Sequence, residues 1–277
     1  MIGTVGTIDT NRSTVPRDLP DWMISQGRHW ITTDGIATAL AIPVEQVPSI
    51  VARLRRAGRM FSPVRGGYVP IPAEYRSWRA VPASHFIDPM MRYLDHEYYV
   101  GYLSAAEVHG AAHQRPQVFQ VITDARLNDR RFDRVSIEFT TSAKTARRLF
   151  TVVNTPTGTM KVSVPEITVL DLVASPAQGG GLSNIATVLG ELLSNELLDI
   201  PRLAALAKDY PAAVPQRAGW LLEHVAGEVG AEVDLTPLEH VARARLTPTP
   251  LAAAGRPAGP FNERWNILVN TDVESDL

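Results

Sequence analysis

Apolar positions along this chain fall at helical spacing, then at alternating spacing, then at helical spacing again. The clearest stretch is Ile31 to Pro70. Thr33 to Leu40 reads as a short helix with Thr32 or Thr33 as its N-cap. A break follows at Ala41-Ile42-Pro43, and a second helix is predicted from Val44 to Ala57. Its Val47, Ile50, Val51 and Leu54 fall at i, i+3, i+4 and i+7, one apolar stripe. Pro48 sits in the first turn, where a missing N–H does little harm. Gly58 ends the helix as a left-handed cap. A hairpin follows: Met60 to Val64, a turn at Arg65-Gly66-Gly67, then Tyr68 to Pro70. Upstream, Leu19, Trp22, Met23 and Ile24 lie on one side of a predicted helix within Pro16 to Arg28, and residues 1–15 read as a flexible arm.

The order helix, tight turn, helix, hairpin is that of a winged helix-turn-helix. The polar face of the second helix carries Glu45, Gln46, Ser49, Arg53 and Arg56, groups that reach base edges and phosphates. Gln46, Ser49 and Arg53 are the expected major-groove readers, with Arg56 and Arg65 on phosphates. An arginine at the hairpin tip suits a phosphate or the minor groove. The competing reading is an ordinary solvated face, with the winged helix used as a protein-interaction module without specific DNA binding.

Pro70, Pro72 and Pro82 bracket a connector, IPAEYRSWRAVP, which sets an expected domain boundary near Val81 and a DNA-binding domain over residues 1–80. Residues 81–175 read as mixed sheet and helix. Asp88 to Asp95 is helical, and Tyr98 to Gly110 starts extended and becomes helical, with Ser104 and Glu107 spaced as a capping box. Val118 to Thr123 and Val135 to Phe139 are strands. Thr151 to Thr155 and Met160 to Val164 flank Thr157-Gly158 as a hairpin. Pro165 to Ala174 is a helix with proline near N1. Residues 182–245 are mainly helical: 183–198, 201–210, 215–229 and 237–245. Gly179-Gly180-Gly181 reads as a hinge, Thr247 to Pro260 as a strap, and residues 265–270 as a strand returning to the sheet. The fold class is α+β: an N-terminal winged helix-turn-helix and a larger α+β domain over 81–277 with a helical C-terminal part.

Charge sharpens this division. Residues 1–80 hold ten basic and six acidic side chains, net +4, whereas 161–277 hold eight and fifteen, net −7. The positive part coincides with the winged helix, as a nucleic-acid footprint requires. With 3 Lys against 24 Arg, the choice of Arg over Lys carries little information, and position carries more. A second basic set, Arg126, Arg130, Arg131, Arg134, Arg147 and Arg148, falls on or beside loops of the α+β region. It either extends the DNA path, faces a partner's nucleic-acid substrate, or is a solvated surface paired with Asp124, Asp129 and Asp133.

Catalysis is not expected. Asp124, Glu138 and Lys144 invite comparison with metal-dependent nucleases, but Phe139-Thr140 stands where Glu-x-Lys is required. His85, His96, His109 and His113 match no zinc spacing. No Walker A loop, GxGxxG, HExxH or GxSxG occurs. His109 reads as a hydrogen-bonded packing residue beside Gly110. With no cysteine, there are neither disulfides nor thiolate metal sites. No cofactor or metal is expected. No apolar run approaches the ~20 residues of a membrane span, and no signal peptide is visible, so a soluble cytoplasmic protein is expected.

Four motifs in order carry a family resemblance. YYVGYLSAAEVHG followed by RPQVFQVITDAR, then VPEITVLDLV, QRAGWLLEHVAG and NERWNILVN, resembles the AbiEi antitoxins of type IV toxin–antitoxin systems. The winged helix ahead of them matches the family layout, and the resemblance spans about Thr33 to Asn270. It implies an autorepressor that binds double-stranded DNA of its own promoter region. It further implies an antitoxin that counters a nucleotidyltransferase-like toxin without needing a stable complex. The 247–260 strap and the N-terminal arm depart from the family pattern.

Overall fold

The computed structural model describes residues 15–112, 116–244, 247–254, 256 and 258–277. Nearly all of the expected arm, and His113, lie outside them. Among the described residues the architecture is α+β, with helices, two three-stranded sheets and one six-stranded sheet. The described chain forms two compact units. The first gathers residues up to His96 with Asp129–Ile137 and Asn154–Met160. The second holds Glu97–Asn128, Glu138–Val153 and Lys161–Leu277. The expected boundary at Val81 therefore falls inside the first unit.

The first unit opens with α1 (Leu19–Ser25), β1 (Ile31–Thr32), α2 (Thr33–Leu40) and α3 (Val47–Arg56). Thr32 caps α2 by accepting the Gly35 N–H at 3.1 Å. A single 3-10 turn, Val44–Gln46, leads into α3. Gly58 closes α3 at φ 64°, with the Arg59 N–H returned to the Leu54 carbonyl at 3.0 Å. Strands β2 (Met60–Val64) and β3 (Gly67–Pro70) pair antiparallel, and β1 adds to β3, giving the order β1-β3-β2. Leu19 and Met23 of α1, Ile36 and Leu40 of α2 and the α3 stripe bury one another, as the periodicity predicts. The Arg59 guanidinium fastens α1, pairing with Asp21 at 2.5 Å and donating to the Arg17 carbonyl at 2.8 Å. Helix α4 (Ile87–Leu94) completes the helical part of this unit.

In the second unit β4 (Tyr98–Val100) runs into α5 (Tyr102–Val108). The strands that follow are β5 (Phe119–Thr123), β6 (Arg130–Phe132), β7 (Val135–Thr141), β8 (Phe150–Thr155) and β9 (Gly158–Ser163). The six-stranded order is β6-β7-β5-β4-β9-β8. Of these, all of β6, β7 as far as Ile137, β8 from Asn154 and β9 as far as Met160 belong to the first unit, with the turns between them. Ser104 does not cap α5. Its hydroxyl accepts the Gln120 N–H at 2.9 Å and so ties the helix to β5.

Helix α6 (Pro165–Ala174) is buried along nearly its whole length, because α5 and α7 (Leu182–Ser194), α8 (Ile200–Ala207) and α9 (Ala213–Val229) all pack on it. Gly179 is part of this packing, since a β-carbon there would meet Ile185 at 2.6 Å. The glycine run is thus a packed turn and not a hinge. After α10 (Thr236–Ala242) the chain forms β10 (Thr249–Pro250), β11 (Phe261–Asn262) and β12 (Ile267–Leu268). The strand expected at 265–270 does not return to the large sheet. It pairs parallel to β10 and antiparallel to β11 in a sheet of its own. The strap supplies β10 and leads directly into β11, and it is anchored where Thr249 donates to the buried Gln216 side chain at 2.5 Å.

Candidate nucleic-acid interface

Helix α3 turns its polar face to solvent because its apolar stripe is buried in a core shared with α1, α2 and Met60 of β2. Gln46, Ser49, Arg53 and Arg56 are exposed, while Val47, Ile50, Val51 and Leu54 are buried. The segment Val44–Arg56 is bent 107° from α2. Ser49 spends its hydroxyl proton on the Gln46 carbonyl at 2.9 Å, leaving its oxygen lone pairs for a donor. Arg56 leans back on the Ala52 carbonyl at 3.4 Å. Arg55 is exposed as well, and the sequence reading passed over it. With Arg79, Phe61 and Phe132 it lines an open cavity of about 480 Å³. The RLRR run was the signal for it.

Arg65 stands exposed at the β2–β3 turn. Gly66 takes φ 81°, which an L side chain resists. The Trp30 indole lies against Gly67 so closely that no β-carbon fits. Tyr93 donates to the Arg65 carbonyl at 3.2 Å, and Ser62 donates to the Gly67 carbonyl at 2.9 Å. The turn is therefore held while the Arg65 guanidinium stays free to reach outward.

The second arginine set is divided. Arg130, Arg131 and Arg134 belong to the first unit, the unit of α3, and Arg126, Arg147 and Arg148 belong to the second. Arg148 is half-buried, its guanidinium 3.7 Å from the centre of the Tyr210 ring.

That contact leads to a buried cluster on α6. Asp171 accepts hydrogen bonds from Tyr99 at 2.8 Å and Tyr210 at 2.6 Å. Burial pushes its carboxyl up to about 6, against the lowering effect of the two phenols and Arg148. Burial, then the Asp171 charge, pushes both phenols up in turn. Glu166, the other carboxylate of α6, pairs with Arg202 at 2.7 Å and accepts the Asp199 N–H at 2.9 Å. These are the means by which a buried helix carries two acids. An aspartate inside the apolar run PEITVLDLVA was the signal for such a cluster. His109 hydrogen-bonds the Ser163 carbonyl at 2.8 Å through Nε2, and burial holds its pKa below the usual value. It is a packing histidine, as its place before Gly110 implies. Among the described residues no group of three or more His, Asp or Glu is placed to hold a metal ion. No single described helix is long and apolar enough to cross a membrane.

Residues 99–224 match a family model for the domain of an antitoxin of a toxin–antitoxin system. The model is that of the AbiEi antitoxin C-terminal domain, and over that stretch the chain is similar to the AbiEi antitoxins. Tyr99, Asp171, Tyr210 and Glu166 all lie within the matched stretch. No curated protein matches the sequence. Among solved structures, the RV2827C protein from Mycobacterium tuberculosis is similar in fold, with a TM-score of 0.63 at 18% identity. The similarity covers 91% of this chain and 89% of that one.

Proposed function

We propose that this chain is an antitoxin and also a DNA-binding autorepressor, and that residues 19–70 form a winged helix-turn-helix. The observation that carries this reading is the pairing of α3, with its exposed Gln46, Ser49, Arg53 and Arg56, and a held hairpin tip that presents Arg65. The 107° bend between α2 and the segment holding α3 falls within the range of helix-turn-helix pairs. Gln46, Ser49 and Arg53 read base edges in the major groove, and Arg56 and Arg65 hold phosphates. Arg130, Arg131 and Arg134, in the same unit, extend the backbone contact. The bound DNA is the chain's own promoter region. The countered toxin is nucleotidyltransferase-like, acting in the same cytoplasm and needing no stable complex with the antitoxin. DNA binding resides in residues 1–80 with the turns that join them, and neutralisation resides in the remainder.

A gel shift with the chain's own upstream DNA tests the first part, and co-expression with the neighbouring toxin tests the second. Retarded duplex at nanomolar protein, resistant to competitor DNA, supports repression. Equal retardation of random duplex ends it and leaves the winged helix as a protein-contact module. Toxin rescue by residues 1–80 alone ends the assignment of the antitoxin role to the later region.

A further inference from the structure

The first unit contains a second cavity, of about 300 Å³, unlike the open apolar one beside Arg55. Three segments build it. The approach to β1 supplies Arg28, His29 and Trp30; α4 supplies Asp88 from its first turn and Arg92 from its last, with His85 just before the helix; the β8–β9 turn supplies a row of threonines. Thr155, Thr157 and Thr159 are all half-buried, spaced two apart across the turn. Thr157 donates its hydroxyl to the His85 carbonyl at 2.7 Å, which pins the turn to the cavity wall. Between Thr157 and Thr159, Gly158 leaves the backbone bare, with open space where a β-carbon would stand.

The chemistry of this lining is that of an anion site. Its single carboxylate, Asp88, is buried and paired with Arg92 at 2.8 Å. Against it stand two guanidiniums, two imidazoles and the hydroxyls of Thr155 and Thr159, that of Thr157 being committed to the His85 carbonyl. Burial first and then the nearby His29 lower the pKa of His85, against the raising effect of Glu74, and burial lowers that of His29. Neutral imidazoles, hydroxyls and arginines are phosphate donors. One wall is flat and apolar: the Trp30 indole is half-buried and sits 5.7 Å from Tyr93, centre to centre. A volume near the lower end of small-ligand pockets suits one phosphate with one ring system.

We infer that this cavity binds a nucleotide phosphate, with Arg28, Arg92, His29 and His85 around the phosphate and Trp30 against the base. The same chemistry has two sources: a backbone phosphate of bound DNA, or a free nucleotide. Trp30 also connects the cavity to the β2–β3 hairpin. Its ring lies on Gly67, and the next residue, Ile31, pairs with Tyr68 of β3. An occupant therefore presses on the strand that carries the Arg65 tip. That coupling rests on the DNA-binding reading, whereas nucleotide binding itself does not.

The test uses the full chain, as wild type, as the double variant Arg28→Gln/Arg92→Gln, and as Thr159→Glu, which places a carboxylate in the cavity from a half-exposed strand position. Calorimetric titration with deoxyadenosine monophosphate and with inorganic phosphate is run beside anisotropy of the labelled upstream duplex at several salt concentrations. A free-nucleotide site gives saturable monophosphate binding to wild type, weakened at least about tenfold in both variants. A DNA-backbone site gives no monophosphate binding, but both variants bind the duplex more weakly and with a salt slope lower by about one. Monophosphate binding without any duplex binding keeps the cavity and ends the repressor reading. Wild type and both variants alike in all titrations, with unchanged thermal unfolding, overturn the inference.

Discussion

The indole of Trp265 lies flat on Gly219, so close that no β-carbon can stand between ring and helix. Trp265 is fully buried, and its Nε1 donates to Glu223 at 2.8 Å, one turn along α9 from the glycine. Arg264 then joins that same Glu223 to Glu239 of α10, the latter at 2.8 Å. The anchored ring cannot retreat from an added methyl. Alanine gains about 1 kcal/mol over glycine in a helix interior, but overpacking costs about 1–3 kcal/mol. Gly219→Ala should therefore destabilise, and Trp265→Ala should cost more, about 3–5 kcal/mol. Urea unfolding of both variants checks this. A Gly219→Ala protein at least as stable as wild type would show that the ring can move.

Asp171 gives the stability a pH dependence of definite sign. Its carboxyl is raised from 3.8 to about 6 in the folded chain, because burial outweighs the two phenol hydrogen bonds. Below 3.8 it is protonated in both states. Between 3.8 and about 6 the unfolded chain releases the proton first. Its contribution is thus fully present at low pH, falls as pH rises through that window, and is flat above it. The change is on the order of 3 kcal/mol. Measured against Asp171→Asn, which cannot ionise, wild type should lose stability between those two pH values. A difference that is constant with pH, or that grows upward, refutes the assignment.

On the proposed DNA surface, Arg53 and Arg65 should fail differently. Both are exposed, one on α3 and one at the hairpin tip. Arg53→Ala removes a base-edge contact and should cost ~1–3 kcal/mol on the cognate duplex while relaxing sequence preference. Arg65→Ala removes a phosphate contact and should weaken all duplexes alike, lowering the salt slope by about one. Equal binding by wild type and the double variant would remove both residues from the interface.

The parts of the fold read correctly from sequence are those fixed by neighbours in the chain. The α3 stripe, the Thr32 cap, the Gly58 cap and the Pro165 start are each decided within a few residues. What was missed depends on distant partners. The sequence points the strand at Ile267 to the large sheet because nothing local reveals that Thr249 pairs with it. Ser104 and Glu107 have capping-box spacing, yet Gln120 claims the serine hydroxyl. The arginines of 126–148 form one cluster along the chain, but Arg130, Arg131 and Arg134 fall in one unit and the others in the second. At the candidate site, α3 and the Arg65 turn were legible. The cavity of Arg28, His85 and Thr157 was not, since its three segments are far apart in sequence.

Those distant segments also bear on where the chain can be cut. Phe61 of β2 packs edge-on against Phe86 at 5.2 Å and at a tilt against Phe132 at 5.3 Å, and all three belong to the first unit. A fragment of residues 1–80 keeps the core of Leu19, Met23, Ile36, Leu40 and the α3 stripe, so it should fold. It loses both aromatic partners of Phe61, and a domain of that size has little stability to spare. In the full chain, Phe132→Ala should cost about 1–3 kcal/mol, below a core phenylalanine because the ring is half-exposed. The 1–80 fragment should accordingly unfold at a lower urea midpoint than the first unit does within the whole chain, and should bind the upstream duplex more weakly. Hydrogen exchange at the α3 amides, compared between fragment and full chain, reads this directly. Equal protection in both, with Phe132→Ala silent, would mean that residues 1–80 are already complete and that the later turns add nothing to them.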